Sequence, residues 1–534
     1  MADRLTRTVT RLLAAVAVLG IVPGCSSAPP AAHGAPGAAA PAVPAPAAPR
    51  LAAVDQYALL DRITWGATSS SLQEIRSVGT QRWVEEQLHP LPDPPLPPSV
   101  AQQIAALSIQ TTPMPQRVIN VAQRNHDIDQ IADEEQRKAA RKDLGEELNG
   151  IGRETACRML LRALYSPNQL QEQMTWFWFN HFNVFQHKHD ERLMLADYEQ
   201  TLRVHALGRF RDLLGAVARH PAMLVYLDNA QNAVNHVNEN YARELMELHT
   251  LGVDAGYSQR DVQELARVLT GFGVDRRDPA TAPPPRFKPQ LAGQYVRKGL
   301  YEFNPNRHDY GDKQVLGVTI RGSGPAELDQ VIDLLSRDPA TARHISRKLA
   351  MFFVSDDPPQ PLVDRMATRF ARTDGDIAAV LRTLFESPEF AGSLRTRYKD
   401  PVHYVVSAVR VAYDDKPILN ARPMINWLNR LGEAPYNRQT PDGYALNEAS
   451  WAGPGQLTTR FEIAKAIGSG AAGLFKTDDP TPTERPAFPQ LSNALYFEAI
   501  QPKLAAATRQ ALDQATSPQE WNMLLLSAPE FMVR

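Results

Sequence analysis

Residues 238–252 read NENYARELMELHTLG and predict one helix around which the neighbouring chain is organised. Asn238 is placed to cap its start, and Glu239 lies in the first turn, where the helix dipole favours an acid. Gly252 is placed to end the helix in a left-handed conformation. We therefore expect a helix over 239–251.

This helix carries an apolar side and an adjoining polar strip, because successive residues are about 100° apart. The strip contains Asn240, Arg243, Glu244 and Glu247. Two interpretations stay open. The i,i+4 pairs Glu239–Arg243 and Arg243–Glu247 are typical of a solvated helix face. Alternatively, the strip is part of a polar centre that acts on a substrate.

A second helix, starting near residue 167, is apolar nearly all round and is therefore expected to be buried. Asn180 and His181 lie at its end, where each polar atom needs a partner. Trp178 is a candidate stacking surface for a substrate. For His181, a hydrogen-bonded core histidine is the alternative to a base.

The segment 275–306 is rich in Pro, Arg and Gly and predicts a long loop. His308 and Asp309 follow on this loop, and loops carry a large share of catalytic residues. Residues 315–320 are the best strand candidate and predict a small hairpin.

Helical patterns over the remaining chain predict a mainly α-helical bundle. Expected helices cover 191–206, 209–219, 221–228, 259–271, 326–336, 339–354, 360–372, 376–386 and 401–413. We expect an N-terminal helical region, 52–324, that carries the polar centre, and a C-terminal region, 325–534, packed on it.

The N-terminus predicts export. Arginines precede the apolar run 12–22, which is too short to span a membrane, and Cys25 follows. Residues 22–25 resemble a lipoprotein processing box, so we expect a signal peptide over 1–24 and a lipid anchor at Cys25, in the periplasm or at the outer membrane. A plain secretory signal cut elsewhere is the alternative. Residues 25–51, rich in Ala and Pro, predict a disordered tether.

The overall charge argues against one class of partner. A net charge of −2 provides no dense basic surface, so we expect no nucleic-acid binding.

Several motifs together resemble the bacterial family catalogued as domain of unknown function 1800. They are the segments 177–182, 220–229, 238–252, 261–271, 308–317 and 339–349. At Phe179 the chain departs from the family, which more often shows a second His there. The resemblance implies no settled activity. It also implies a partner, because such proteins are often encoded beside an exported protein similar to sulfatases and phosphatases.

The polar residues of the two helices and of the loop predict acid–base chemistry if the fold brings them together. The candidate catalytic residues are Glu244, Glu247, His181, His308 and Asp309, and the candidate substrate-binding residues are Arg243, Asn240, Asn180 and Trp178. Paired carboxylates can divide the roles of acid and base, and His308 held by Asp309 would carry a second proton.

We therefore expect an envelope hydrolase or lyase that acts on a glycan or another cell-surface polymer. The alternative is a non-catalytic binding or assembly scaffold that works with the co-encoded partner. The cofactor is unknown. A divalent metal stays open, although no tight ligand motif such as His-Glu-x-x-His is present.

Overall fold

Helices make up most of the protein, which confirms the predicted mainly α fold with small β elements. A computed structural model describes residue 51 and residues 54–283, 285–414, 416–476 and 488–534. The expected signal peptide, Cys25 and nearly all of the expected tether lie outside the described residues, so these assignments stay predictions.

The α-helices follow the predicted order closely. Those of the first half are α1 Gln56–Ile63, α2 Ser69–Val78, α3 Thr80–Leu88, α4 Pro98–Ala105, α5 Ser108–Thr111, α6 Met114–Asp129, α7 Glu134–Tyr165, α8 Gln169–His181, α9 Leu195–His205, α10 Phe210–Arg219, α11 Pro221–Tyr226, α12 Asn240–Glu247 and α13 Gln259–Val268. Those of the second half are α14 Ala326–Arg337, α15 Pro339–Phe353, α16 Gln360–Arg372, α17 Ile377–Phe385, α18 Pro388–Ser393, α19 Pro401–Ala412, α20 Arg422–Arg430, α21 Pro454–Gly468, α22 Ala506–Asp513 and α23 Pro518–Ser527. Within the described ranges, no helix combines the length and apolar character needed to cross a membrane.

Two small sheets interrupt the helices. Strands β1 (Phe272–Val274), β2 (Val296–Lys298) and β3 (Tyr301–Phe303) form an antiparallel sheet in the order β1-β3-β2. Strands β4 (Lys313–Val315) and β5 (Val318–Ile320) form a small hairpin, as predicted. The single strand expected over 315–320 is wrong, because Leu316 and Gly317 have positive φ angles and form the turn.

The segment 275–306, which was expected to be a loop, thus contains strands β2 and β3. Each strand has only three residues, which is too short for a clear alternation of apolar and polar residues in the sequence.

One apolar core runs from Leu51 to Met532 and includes residues of both helical regions. Buried Arg62 of α1 connects distant parts of the chain. Its guanidinium donates hydrogen bonds to the carbonyl oxygens of Phe353, Ser393 and Arg534. Helix α1 is therefore fixed against the end of the chain.

Helix α12 ends earlier than predicted, at Glu247. The N–H of His249 donates to the carbonyl of Glu244, and that of Leu251 donates to the carbonyl of Met246, so the last turn is wider than α-helical. Gly252 has φ +92°, and a Cβ there would lie 3.1 Å from Nδ1 of His344. Glycine lets α15 approach this turn closely.

Candidate functional site

His181, at the end of α8, has one defined tautomer. Its Nε2 lies 3.1 Å from the carbonyl oxygen of His249, which can only accept, so Nε2 carries the hydrogen. Its Nδ1 lies 2.9 Å from Nζ of Lys348 and accepts a hydrogen bond. Burial, and next the charge of Lys348, lowers the pKa of His181 well below its ordinary value. The imidazole is therefore neutral at physiological pH.

Two more imidazoles surround this contact. The ring centroids of His249 and His344 each lie 6.1 Å from that of His181. Burial lowers the pKa of His249 to about 3 and that of His344 to about 4. Both ring nitrogens of His249 are buried and lack a hydrogen-bond partner among the described residues. We call these three histidines the imidazole collar.

Lys348 of α15 is the basic group that the collar surrounds. Burial lowers the pKa of its ammonium to about 8, although Asp442 opposes the shift. Among the described residues, no carboxylate lies within 4 Å of its Nζ. A substantial fraction of this amine is therefore neutral near physiological pH.

Glu244 and Glu247 lie on the partly exposed side of α12, as the polar strip predicts. Burial and the neighbouring Glu247 raise the pKa of Glu244, against the opposing charge of Arg243, and Asp442 adds to the rise. Arg243 pairs with Glu239 at 3.2 Å and donates to Gln259 at 2.8 Å. The first of the two expected ion pairs is thus formed. The expected Arg243–Glu247 pair is not found within 4 Å in the described structure.

Asp442 acts on both the polar strip and Lys348, because its carboxylate raises the pKa of Glu244 and opposes the lowering of the pKa of Lys348. It lies on the segment 438–444, which we call the acidic loop. Two hydrogen bonds join Asn180 to Tyr444 of this loop, at 2.9 Å and 2.5 Å. Asn180 therefore positions the loop, and its amide is not free to bind a substrate.

Gly443 allows the acidic loop to lie against α8. It has φ +76°, and a Cβ there would lie 2.1 Å from the carbonyl oxygen of Asn180. Asn183 adds hydrogen bonds of 2.9 Å to the carbonyl oxygens of Arg438 and Thr440. The loop is thus held along its length.

His308 belongs to a separate and fully buried network. Its Nδ1 lies 2.7 Å from the carbonyl oxygen of Thr270, and its Nε2 lies 2.8 Å from Glu327. Glu327 also binds Lys313 at 2.6 Å. Burial would raise the pKa of Glu327, but the hydrogen bonds from His308 and Lys313 outweigh it and lower the pKa. Both ring nitrogens of His308 therefore have partners inside the protein.

Asp309 does not hold His308, contrary to expectation. Its carboxylate instead pairs with Arg267, at 2.8 Å and 3.2 Å. Adjacent side chains on an extended loop point in different directions, so sequence proximity did not bring these two groups together. The structure brings His181 into contact with Lys348. Asp442 acts electrostatically on Lys348 and on Glu244, and His308 lies in its own network.

Two further substrate-binding candidates also have protein partners. Trp178 is fully buried, and its indole donates a 2.8 Å hydrogen bond to the carbonyl oxygen of Ala206. Asn240 donates hydrogen bonds of 3.3 Å to Leu227 and Asp228. Trp178 therefore has no surface on which a substrate could stack.

The described residues include no group of three or more His, Cys, Asp or Glu arranged to hold a metal ion.

A cleft of about 670 Å³ lies elsewhere, lined by His220, Asp197, Arg219 and Asp329 among others. Nδ1 of His220 accepts from the N–H of Ala222 at 3.1 Å, and its Nε2 lies 3.2 Å from Asp197. Arg219 pairs with Asp329 at 2.8 Å. Both ring nitrogens of His220 thus have hydrogen-bond partners. We therefore take Lys348 and its neighbours as the better candidate for proton transfer.

Comparison with known proteins identifies the family. A family described as protein of unknown function (DUF1800) matches residues 58–533. The chain belongs to the DUF1800 family. No curated protein and no solved structure matches it. The resemblance in the sequence motifs is thereby confirmed.

The imidazole collar, Lys348, the polar strip and Asp442 all lie inside the region that the DUF1800 model matches. Cys25 lies before this region. The sequence alone did not single out His249, His344, Lys348 or Asp442 as site residues. A usable pattern existed on α15, where His344 and Lys348 are four residues apart and interleave with buried Ile345 and Leu349. Their proximity to His181 depends on how α15 packs against α8.

Proposed function

We propose that this DUF1800 protein is an acid–base enzyme of the cell envelope, a hydrolase or lyase acting on a glycan or another cell-surface polymer. The observation that carries the proposal is the contact between the Lys348 amine and the neutral His181 ring. Asp442 acts electrostatically on both Lys348 and Glu244, which supports assigning the two groups to one site. A base and an acid with pKa values shifted toward neutrality are what proton transfer at physiological pH requires.

In this proposal Lys348 is the base and Glu244 is the acid. The neutral amine removes a proton from water in a hydrolase, or from carbon beside a carboxyl group in a lyase. Glu244, whose pKa is raised, protonates the departing oxygen. Arg243, which is partly exposed at the same strip, binds anionic groups of the polymer.

Export and anchoring are part of the same proposal. Cys25 would carry the lipid and hold the enzyme at the envelope, near polymeric substrates, with the co-encoded exported protein as partner. Labelling of cells with a palmitate analogue tests the anchor. Wild type is expected to be labelled and Cys25→Ser unlabelled, and equal labelling of both would refute the anchor.

The test of the activity uses the full chain with isolated peptidoglycan and cell-surface polysaccharide. New reducing ends report hydrolysis, and unsaturated sugar ends report a lyase reaction. We expect Glu244→Gln and Lys348→Met to lose at least about 100-fold in rate, as is typical for removal of a general acid or base. Glu86→Gln, an exposed carboxylate elsewhere, is the matched control and is expected to keep full activity. Equal rates in all four proteins would refute the proposal.

The scaffold is a second candidate, and the fully buried His308–Glu327–Lys313 network favours it. Such a network fixes helix packing without performing chemistry. If the protein is a scaffold, Glu244→Gln keeps its cellular role whenever it folds. If it is an enzyme, the folded variant loses that role.

A further inference from the structure

Lys348 differs from the buried lysines Lys313 and Lys399 in the group that its amine contacts. Lys313 lies 2.6 Å from Glu327, and Lys399 lies 3.2 Å from Asp61. A carboxylate at this distance stabilises the ammonium form. Lys348 instead contacts the neutral Nδ1 of His181, and no anionic group among the described residues is in direct contact with its amine.

The imidazole collar leaves this amine reactive. His181 accepts one N–H of Lys348, and the lone pair of the neutral amine is free to attack an electrophile. Burial lowers the pKa of the amine to about 8. The Lys348 residue as a whole is partly exposed.

We propose that Lys348 forms an imine with an open-chain carbonyl compound, an aldehyde or ketone such as the reducing end of a glycan. This inference rests on the proposed function and names the chemistry of the same site for carbonyl substrates. With these substrates Lys348 acts as the nucleophile, and the role of base passes from Lys348 to Glu247. A C=N bond replaces the C=O bond, and the two hydrogens of the amine leave with the carbonyl oxygen as water. No oxidant or reductant takes part.

The imine also explains how one site can break a polymer from its end. An imine, once protonated, withdraws electrons from the adjacent carbon and makes its hydrogen more acidic. A nearby carboxylate can then remove that hydrogen. Glu247, whose carboxylate has no ion pair among the described residues, is the group on the polar strip for this role. Loss of a hydrogen from the carbon beside the imine lets the C–O bond at the following carbon break. The departing oxygen takes a proton from Glu244, and water then releases the unsaturated carbonyl product from Lys348.

The experiment is reductive trapping of the full chain with glycolaldehyde and cyanoborohydride at pH 7, followed by peptide mass spectrometry. The reagent converts an imine into a stable amine, which marks the lysine. Exposed lysines titrate near 10.4, so we expect Lys348 to be marked at least about ten-fold faster than exposed Lys142. Buried and paired Lys399 is the matched control and is expected to stay unmarked. Marking of Lys348 no faster than Lys142 would overturn the inference.

A variant of Asp442 tests whether the marking rate of Lys348 depends on the reactivity of its amine or only on the access of the reagent. Asp442→Asn removes a charge that favours the Lys348 ammonium, so we expect two-fold or faster marking at pH 7. Slower marking would count against the inference. If Lys348 is not marked but polymer cleavage persists, the imine fails and the acid–base proposal stands. If Lys348 is marked but no polymer is cleaved, the proposed function fails and the imine stands.

Discussion

Asn180 and Tyr444 pair twice across the molecule: the Asn180 amide donates to the Tyr444 carbonyl oxygen at 2.9 Å, and its oxygen accepts the Tyr444 N–H at 2.5 Å. This pairing positions the acidic loop and therefore Asp442. We expect Asn180→Ala to lower the free energy of unfolding by about 1–2 kcal/mol, as loss of such hydrogen bonds does. It is also expected to speed proteolysis within 438–444.

Urea unfolding and limited proteolysis with mass spectrometry measure the two effects. Asn429→Ala is the control, because the Asn429 amide is exposed and bonds only to its own helix. Cleavage of the acidic loop at the wild-type rate in Asn180→Ala would show that the pairing does not hold the loop.

Glu327 is expected to be far more important for stability than Asp309. It is fully buried and accepts from His308, Lys313 and two backbone N–H groups. Glu327→Gln breaks a buried charge network and should cost about 3–5 kcal/mol. Asp309→Asn weakens the partly exposed ion pair with Arg267 and should lower the free energy of unfolding by about 1 kcal/mol. Denaturant titration of both variants measures the difference, and equal losses would contradict this assignment.

Much of the helical framework could be predicted, because local chemistry marks the helix starts. Ser258 and Asp261 form the expected capping pair at the start of α13. Pro339 occupies the first turn of α15, where its missing N–H has no cost. Such contacts span a few residues, so they are readable from the sequence.

The site was only partly predictable, for a different reason. Glu244 and Glu247 share one helix, and the helical period places them together. His181 and Lys348 are 167 residues apart, and only the packing of α8 and α15 brings them into contact. For His308, the adjacent Asp309 was the natural partner in sequence. In the structure the His308 side chain points toward Glu327 instead. Its direction is set by the tertiary fold and not by the neighbouring residue.

Glu191 provides a test of buried charge. Its side chain is fully buried, and both carboxylate oxygens lack a hydrogen-bond partner among the described residues. Burial raises its pKa well above the ordinary value. The folded protein therefore keeps a proton that the unfolded chain loses above about pH 4.3, so this group costs stability as pH rises. Glu191→Gln is expected to be more stable than wild type at pH 7, with little difference at pH 4.

Urea unfolding at both pH values checks this expectation. Glu386→Gln replaces an exposed carboxylate and serves as the control, with no change expected at either pH. A variant less stable than wild type at pH 7 would mean that Glu191 is ionised and bound to a partner.

Lys348 should reveal its lowered pKa through the pH dependence of stability. Its folded pKa is about 8 and the ordinary value is 10.5, so between these values the unfolded chain binds more protons than the folded protein. Stability from this group therefore rises with pH across that window. Between pH 7 and pH 10, the free energy of unfolding of wild type is expected to rise by on the order of 2 kcal/mol relative to that of Lys348→Met. Guanidinium titrations at both pH values measure the gain, and Lys142→Met, which replaces an exposed lysine, should show none. A constant difference between wild type and Lys348→Met would mean that the amine is an ordinary ammonium, and both the base and the imine would lose their support.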